Sequence, residues 1–332
     1  MSISKPHSDP ATAGEFGLIA WIRARAASGQ GVVLGIGDDC AALRFSPGAE
    51  VLVTTDMLMD GRHFRLEEAG AQAVGYKALA VNLSDIAAMA GLPVAAVVAV
   101  ALPRLKAVEI AQGLFEGMRP LIDRFGLALV GGDTNAWDGP LVVSVTVLGE
   151  AVPPGPVKRS GAKPGDAILV TGPLGGSLLG RHMRPEPRLA EALALHRSAP
   201  LHALIDISDG LASDLGHTLE ESGGLGAILD ADAIPIHADS LTMSQHDGRS
   251  PLDHALHDGE DFELCVVVDR TDAERLVATP PHISPGSPET QGRNARLYRV
   301  GEITVEPGLR LRQADGTLVP IEAKGFDHLA EH

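Results

Sequence analysis

The chain has 332 residues. With domains of roughly 100–200 residues, that length excludes a single small binding module and leads to an expectation of two domains. Its 45% hydrophobic and 21% charged residues are those of a globular protein able to bury a large core. Against 27 Lys+Arg stand 43 Asp+Glu, a formal net charge of −16, which excludes non-specific attraction to nucleic acid or to an anionic membrane as a property of the whole molecule.

In chain order, the start MSISKPHSDPATAGEF has no apolar core following a basic stretch, so a secretory signal is not expected and the chain is placed in the cytoplasm. Residues 51–55 (VLVTT) predict a strand ending at Asp56, and residues 72–90 a largely apolar helix carrying Asp85 near its end. The run IAAMAGLPVAAVVAVALP at 86–103 carries no charge and approaches membrane-spanning length. Gly91 and Pro93 divide it, so a helix end, a turn and a buried strand at 94–102 explain it more simply. Ala111, Leu114, Phe115, Met118, Leu121, Ile122 and Phe125 then recur at helical spacing, the pattern of a core-facing helix. Strands at 127–130 and 141–148 finish a first α/β layer, which gives an N-terminal domain over residues 1–150.

The stretch AVPPGPVKRSGAKPGD marks the boundary, and with Lys158, Arg159 and Lys163 it is also a dense positive patch. Residues 151–332 repeat the alternation: strands at 167–170, 225–229 and 264–268, helices from about 209 and at 271–278, and a polar loop at 279–295. GPLGGSLLG at 172–180 lacks GxGxxG spacing and is assigned a structural role at the start of a helix. Cys40 and Cys265 have no CxxC partner, which excludes a cysteine zinc site; both are expected to be buried.

The chemistry is carried by acids beside glycines or at the ends of apolar strands: GIGDDCA (35–41), TTDMLMDG (54–61), NLSD (82–85), VGGDTN (130–135), DISDGLASD (206–214) and DGEDFEL (258–264). Taken singly, each is read first as a turn, or as a helix N-cap at Ser208 or Asp209. Together they point to a site, because acids at strand ends face the sheet edge where ligands of α/β folds bind. Asp39, Thr54, Thr55, Asp56, Asp85, Asp133, Asp206 and Asp209 offer an all-oxygen ligand set suited to Mg²⁺ rather than to zinc or copper. Converging carboxylates require a counter-cation, and Mg²⁺ in turn implies phosphates. No P-loop, kinase HRD/DFG set, GxSxG elbow or HExxH is present. His63 is a surface histidine or a phosphate or ring contact.

At these runs the sequence resembles the thiamine-monophosphate kinases, of the ATP-binding superfamily that includes aminoimidazole ribonucleotide synthetase, selenophosphate synthetase and a hydrogenase-maturation protein. The resemblance runs from GEFGLIAWI at 14–22 to KGFDHL at 324–329, with YKALAVNLSDIAAMAG, GGDT, RSGAKPGD, DISDGLASDLGH and GEDFELC in the family's order. It implies an aminoimidazole ribonucleotide synthetase-like α/β fold, with an N-terminal domain that binds ATP and Mg²⁺ and pairs with its copy in a homodimer, followed by a C-terminal α/β domain. It implies Mg²⁺ ligation by the eight oxygen donors named above, ATP contacts from Gly132, Asp133, Arg159 and Ser208, and thiamine-phosphate contacts from His63, Glu260 and Phe326. Asp56, Asp133 and Arg159 are the expected catalytic residues. Two rival readings stay open at this point: another enzyme of the superfamily with a different acceptor, and a non-catalytic cation-binding protein. Selenophosphate synthesis is disfavoured because residues 1–34 hold no Cys/Lys catalytic segment.

Overall fold

The computed structural model describes residues 10–26, 29–283 and 293–323, so Phe326 and the rest of KGFDHL lie outside the described residues. The chain divides into two compact units, one of Met1–Asn82 with Pro93–Glu150 and one of Leu83–Leu92 with Ala151–His332. Among the described residues no helix is long and apolar enough to cross a membrane.

The first unit is built on a four-stranded sheet in the order Val51–Met59, Val142–Ala151, Gly91–Pro103, Ala128–Trp137. The outer pair Val51–Met59 and Val142–Ala151 is antiparallel, with Asp56 opposite Val145. Gly91–Pro103 and Ala128–Trp137 run parallel, with Ala99 opposite Asp133. A parallel pair needs a crossover, and helix Ala107–Phe125 supplies it. That helix buries Ala111, Leu114, Phe115, Met118, Leu121 and Ile122, the stripe that the spacing predicts. Phe125, expected in the stripe, is only half-buried, and the Arg124 guanidinium lies over its ring at 4.8 Å. Gly126 in the left-handed conformation ends the helix by donating its N–H to the Ile122 carbonyl. The edge of Trp21 meets Phe115 at 5.4 Å between ring centroids.

Two strands exceed their expected bounds. Val51–Met59 continues past Asp56, and Ala128–Trp137 runs straight through GGDTN. Asp56 and Asp133 therefore stand inside strands rather than at strand ends. The cause at the first is period-two alternation carried to the end of the strand: Leu52 and Leu58 are buried, while Val51, Val53, Met57 and Met59 face outward. At the second, a Cβ on Gly132 would overlap the Val98 carbonyl oxygen, so the glycine that looks like a turn signal is what lets the two strands approach. The charge-free run resolves as the end of helix Leu66–Ala88, a turn with Ala90 at φ 52°, and strand Gly91–Pro103.

The second unit holds a seven-stranded sheet in the order Leu318–Ile321, Gly308–Arg312, Gly226–Asp230, Tyr298–Thr304, Ala167–Val170, Leu264–Val268, Leu201–Asp206. Ala167–Val170 and Leu264–Val268 are buried at every position, which is why they read as unbroken apolar runs rather than alternating ones. Leu264–Val268 pairs antiparallel with both of its neighbours, Cys265 opposite Val170 and Leu264 opposite Asp206. Helix Leu211–Glu221 packs Leu211, Ala212, Leu215 and Leu219 onto this sheet. Cys265 is buried as expected, and burial pushes its thiol up to about 12. Cys40 is exposed, contrary to expectation, because GIGDDC forms a turn in which the Asp38 carboxylate accepts the Asp39 N–H. Within the expected loop 279–295, His282–Ile283 pairs with Arg293–Asn294.

Helices Leu66–Ala88 and Ala107–Phe125 meet at Gly117, where a Cβ would overlap the Gln72 carbonyl oxygen. Helix propensity favours Gly117→Ala by about 0.8–1.0 kcal/mol, but overpacking against backbone costs about 1–3 kcal/mol and no rotamer can relieve it. Gly117→Ala is expected to lower the urea midpoint; an unchanged or raised midpoint contradicts this packing.

Candidate active site

In the first unit Thr54 and Asp56 share one face of strand Val51–Met59 with Leu52 and Leu58, and both are half-buried. Thr55 lies on the other face, where its hydroxyl donates to the Val145 carbonyl at 3.1 Å and accepts from the Thr146 hydroxyl at 2.9 Å. The structure does not bring its side chain together with the other two. Asp133 is exposed on its strand and accepts from the Asn135 amide at 2.9 Å. Asp39 is exposed in the GIGDDC turn. His63 is less exposed than a surface histidine: its Nδ1 accepts the Met59 N–H at 3.0 Å, and the buried Lys77 ammonium donates to its carbonyl at 2.9 Å. That geometry fixes the ring at the start of the turn after the strand.

In the second unit the pairing of Leu264–Val268 brings the end of Ala167–Val170 and the end of Leu201–Asp206 to one sheet edge. Asp206 is buried there at 3% exposure and accepts the Ser84 hydroxyl at 2.7 Å. Burial and the adjacent Asp85 charge push the Asp206 carboxyl above the usual carboxylate range, while the Ser84 hydroxyl and the Arg159 charge pull the other way. Ser84, Asp85, Arg159 and Asp206 thus act on one another within a single unit. Acidic charge in excess of its compensation at a buried oxygen-only position is a site that a hard cation fits.

The expected N-cap at Ser208 or Asp209 is replaced by a different device. Helix Leu211–Glu221 starts after Gly210 without a side-chain cap, and the Asp214 carboxylate reaches back to accept the N–H groups of Ser208 and Asp209, both at 3.0 Å. Competition from Gly210, whose φ of 101° turns the chain, sets the start two residues later than expected. Burial and the Asp206 charge push Asp214 up to about 8. Neither Ser84 nor Asp214 was singled out by residue type, although both sit in the acid-bearing runs.

Asp258–Glu263 forms the opposite rim. Glu260 and Phe262 adopt left-handed backbone at φ 54° and 52°, a conformation costing about 1–3 kcal/mol each for residues with a Cβ. The Glu260 N–H donates to the Ser208 carbonyl at 2.7 Å and the Phe262 N–H to the Ile207 carbonyl at 2.8 Å, so this turn and the Asp206–Asp209 loop are stitched together through backbone. Glu263 pairs with Arg188 through both carboxylate oxygens and accepts the Thr171 hydroxyl at 2.6 Å. Among the described residues no group of three or more His, Cys, Asp or Glu side chains is arranged to hold a metal ion.

A family model described as AIR synthase related protein, N-terminal domain, matches residues 37–151. The thiamine-monophosphate kinase of Rhodopirellula baltica is 40% identical over 321 residues, which cover 95% of this chain and 97% of that one. The crystal structure of thiamine-monophosphate kinase from Stenotrophomonas maltophilia matches with a TM-score of 0.75 at 33% identity, covering 92% of this chain and 98% of that one. AaThiL complexed with AMPPCP and TMP matches with a TM-score of 0.71 at 27% identity, covering 96% and 98%. The α/β fold that the sequence leads one to expect is the fold of these structures.

Burial pushes the Asp261 carboxyl up to about 7, against the pull of the Arg181 guanidinium and the Gly175 N–H. A carboxyl raised in the folded state contributes stability that is complete below its ordinary value and is lost as pH rises through the folded one. Wild type is therefore expected to lose stability relative to Asp261→Asn as pH rises from about 4 to about 7 in urea titrations. A difference that stays constant across that window contradicts the assignment.

Proposed function

This chain belongs to the thiamine-monophosphate kinase family, and we propose that it transfers the terminal phosphoryl group of ATP in line to thiamine monophosphate, releasing ADP and thiamine diphosphate. The observation that carries the reading is 40% identity to a thiamine-monophosphate kinase along 95% of the chain. A solved relative complexed with AMPPCP and TMP supports both substrates.

In this reaction a phosphate oxygen of thiamine monophosphate forms a bond to the γ-phosphorus as the bond to the ADP oxygen breaks, and the electron pair leaves on ADP. The attacking phosphate is already an anion at neutral pH, so no side chain has to remove a proton from it, unlike the hydroxyl acceptors of protein kinases. The absence of an obvious general base in the acid-bearing runs accords with this. What the chain must overcome is the repulsion of two polyanions.

Arg159 is assigned to the ATP phosphates, because a planar guanidinium grips phosphate oxygens bidentately. The Arg159 charge acts on Asp206, which supports its orientation toward that edge. Ser208, Gly132 and Asp133 are assigned to ATP. His63, Glu260 and Phe326 are assigned to thiamine monophosphate, whose thiazolium is a cation that an acid and an aromatic face favour. Mg²⁺ would be held by Asp39, Thr54, Thr55, Asp56, Asp85, Asp133, Asp206 and Asp209, and the charge state of buried Asp206 beside Asp85 supports a cation there. When bound, Mg²⁺ would supply positive charge that offsets the repulsion between the two polyanions.

A homodimer is assigned to the edge strand Val51–Met59, which exposes Val53 at 65% and Met57 at 57%. An apolar edge strand of this length is a template for pairing with another copy.

ADP release is expected with thiamine monophosphate and not with thiamine, and Asp56→Asn is expected to lower turnover at least about a hundredfold while circular dichroism stays native. Near-normal turnover in Asp56→Asn removes it from the catalytic set. Val53→Asp is expected to shift the sedimentation coefficient from dimer to monomer; an unshifted dimer places the interface elsewhere.

A further inference from the structure

We propose that Arg181, which lies outside the catalytic and binding set, is a positioning residue that holds the turn carrying Glu260 in its acceptor-binding shape. The inference rests on the acceptor role proposed for Glu260.

The geometry is a closed ring. Arg181 Nη2 donates at 3.0 Å to the Gly175 carbonyl and at 3.0 Å to Asp261 Oδ1, while Asp261 Oδ2 accepts the Gly175 N–H at 2.7 Å. One guanidinium nitrogen thereby holds the Gly175 carbonyl and one Asp261 oxygen, while the Gly175 N–H and the other Asp261 oxygen close the ring on each other. The Asp261 side chain is 1% exposed and Arg181 25%. The other ties between these loops, Ser177 Oγ donating to the Gly259 carbonyl at 2.7 Å and the Gly176 N–H donating to Asp258 Oδ2 at 3.1 Å, lie on the other side of Glu260.

Asp261 sits between the left-handed residues Glu260 and Phe262. Backbone in that region persists only where its surroundings over-determine it. Without Arg181 a buried carboxylate loses its guanidinium, its hold on Gly175 weakens, and the turn is free to relax. Glu260 is then expected to move, because it is itself one of the left-handed residues of that turn.

The same structure separates this effect from ATP binding. The Ser208–Asp209 loop is anchored independently, by the Asp214 carboxylate on both of its N–H groups. The acceptor turn meets that loop through the Glu260 N–H on the Ser208 carbonyl, a backbone bond in which Arg181 takes no part, so loss of Arg181 is expected to fall first on the acceptor side. Arg188 holds Glu263, at the root of strand Leu264–Val268, and a loss there is expected to fall on folding rather than on the acceptor.

The test compares Arg181→Gln, Arg181→Lys, Asp261→Asn and the double variant Arg181→Gln/Asp261→Asn with wild type, by steady-state kinetics and by amide hydrogen exchange. Arg181→Gln is expected to raise KM for thiamine monophosphate about tenfold or more and to leave KM for ATP within about twofold. Arg181→Lys is expected to recover part of the loss, and the double variant to fall short of the product of its singles, as coupled partners do. The Gly175 amide is expected to exchange faster in Arg181→Gln, with the amides of Leu264–Val268 unchanged. Equal rises in both KM values, or a loss confined to kcat, make Arg181 merely structural and overturn the proposal. An unchanged Gly175 amide overturns it as well. Hydrogen exchange needs no substrate, so a wild-type chain inactive on thiamine monophosphate defeats the functional reading while the ring is still decided by the amide.

Discussion

The second unit depends on the antiparallel seating of Leu264–Val268 between Ala167–Val170 and Leu201–Asp206. Because the central strand runs against both neighbours, its beginning lies where they end. The loops after Val170, after Asp206 and before Leu264 consequently crowd one sheet edge, and each brings something the others lack: a glycine-rich turn, a buried acid, and a strained acidic turn. A one-residue slip of the central strand moves every side chain to the other face and separates Leu264 from Asp206. The unbroken burial of Val266 and its neighbours makes such a slip costly, so apolar packing in the sheet is what places the polar groups at its edge.

The charge of −16 divides into two populations. One population lies at the surface, where some acids pair with exposed arginines, as Asp253 does with Arg249 or Asp230 with Arg312, and these surface pairs hold little energy beyond solvation. A smaller set is buried: Asp206, Asp214 and Asp261 are all pushed up by burial, each with a different compensation. Asp261 has a guanidinium, Asp214 has two backbone N–H groups, and Asp206 has a serine hydroxyl and the Arg159 charge set against the like charge of Asp85. Of the three, Asp206 is the one whose surroundings favour an added cation, which agrees with its place among the proposed Mg²⁺ ligands. Formal charge therefore overstates how negative that edge is once a cation is bound.

Legibility in the sequence followed the periodicity. The helix Ala107–Phe125 and the buried strands announced themselves because their apolar spacing is a direct record of what they pack against. Strand ends were harder. GGD and TTD read as turns, yet both continue in sheet, since the nearness of Val98 to Gly132 is a tertiary fact that no local propensity encodes. Cys40 was misplaced for a related reason: composition favours burial of a lone cysteine, while its turn leaves it outside. The acid-bearing runs supply the proposed site residues, while the residues that support them are hidden from the sequence. Arg181 and Arg188 lie in a stretch with no motif, and Asp214 looks like an ordinary first-turn acid until its reach back to Ser208 is seen. Such partners are invisible to spacing because the contacts span 75 to 86 residues for Arg188 with Glu263 and Gly175 with Asp261.

The account treats the chain as a phosphoryl-transfer catalyst whose acceptor is itself a phosphate. The most direct measurement follows ATP labelled with ¹⁸O on the three non-bridging γ-oxygens, incubated with the chain, Mg²⁺ and thiamine monophosphate, with the products weighed by mass spectrometry. Direct in-line transfer predicts that the thiamine diphosphate formed carries the whole label and that ADP appears in equal amount. Label released as orthophosphate without labelled thiamine diphosphate contradicts it.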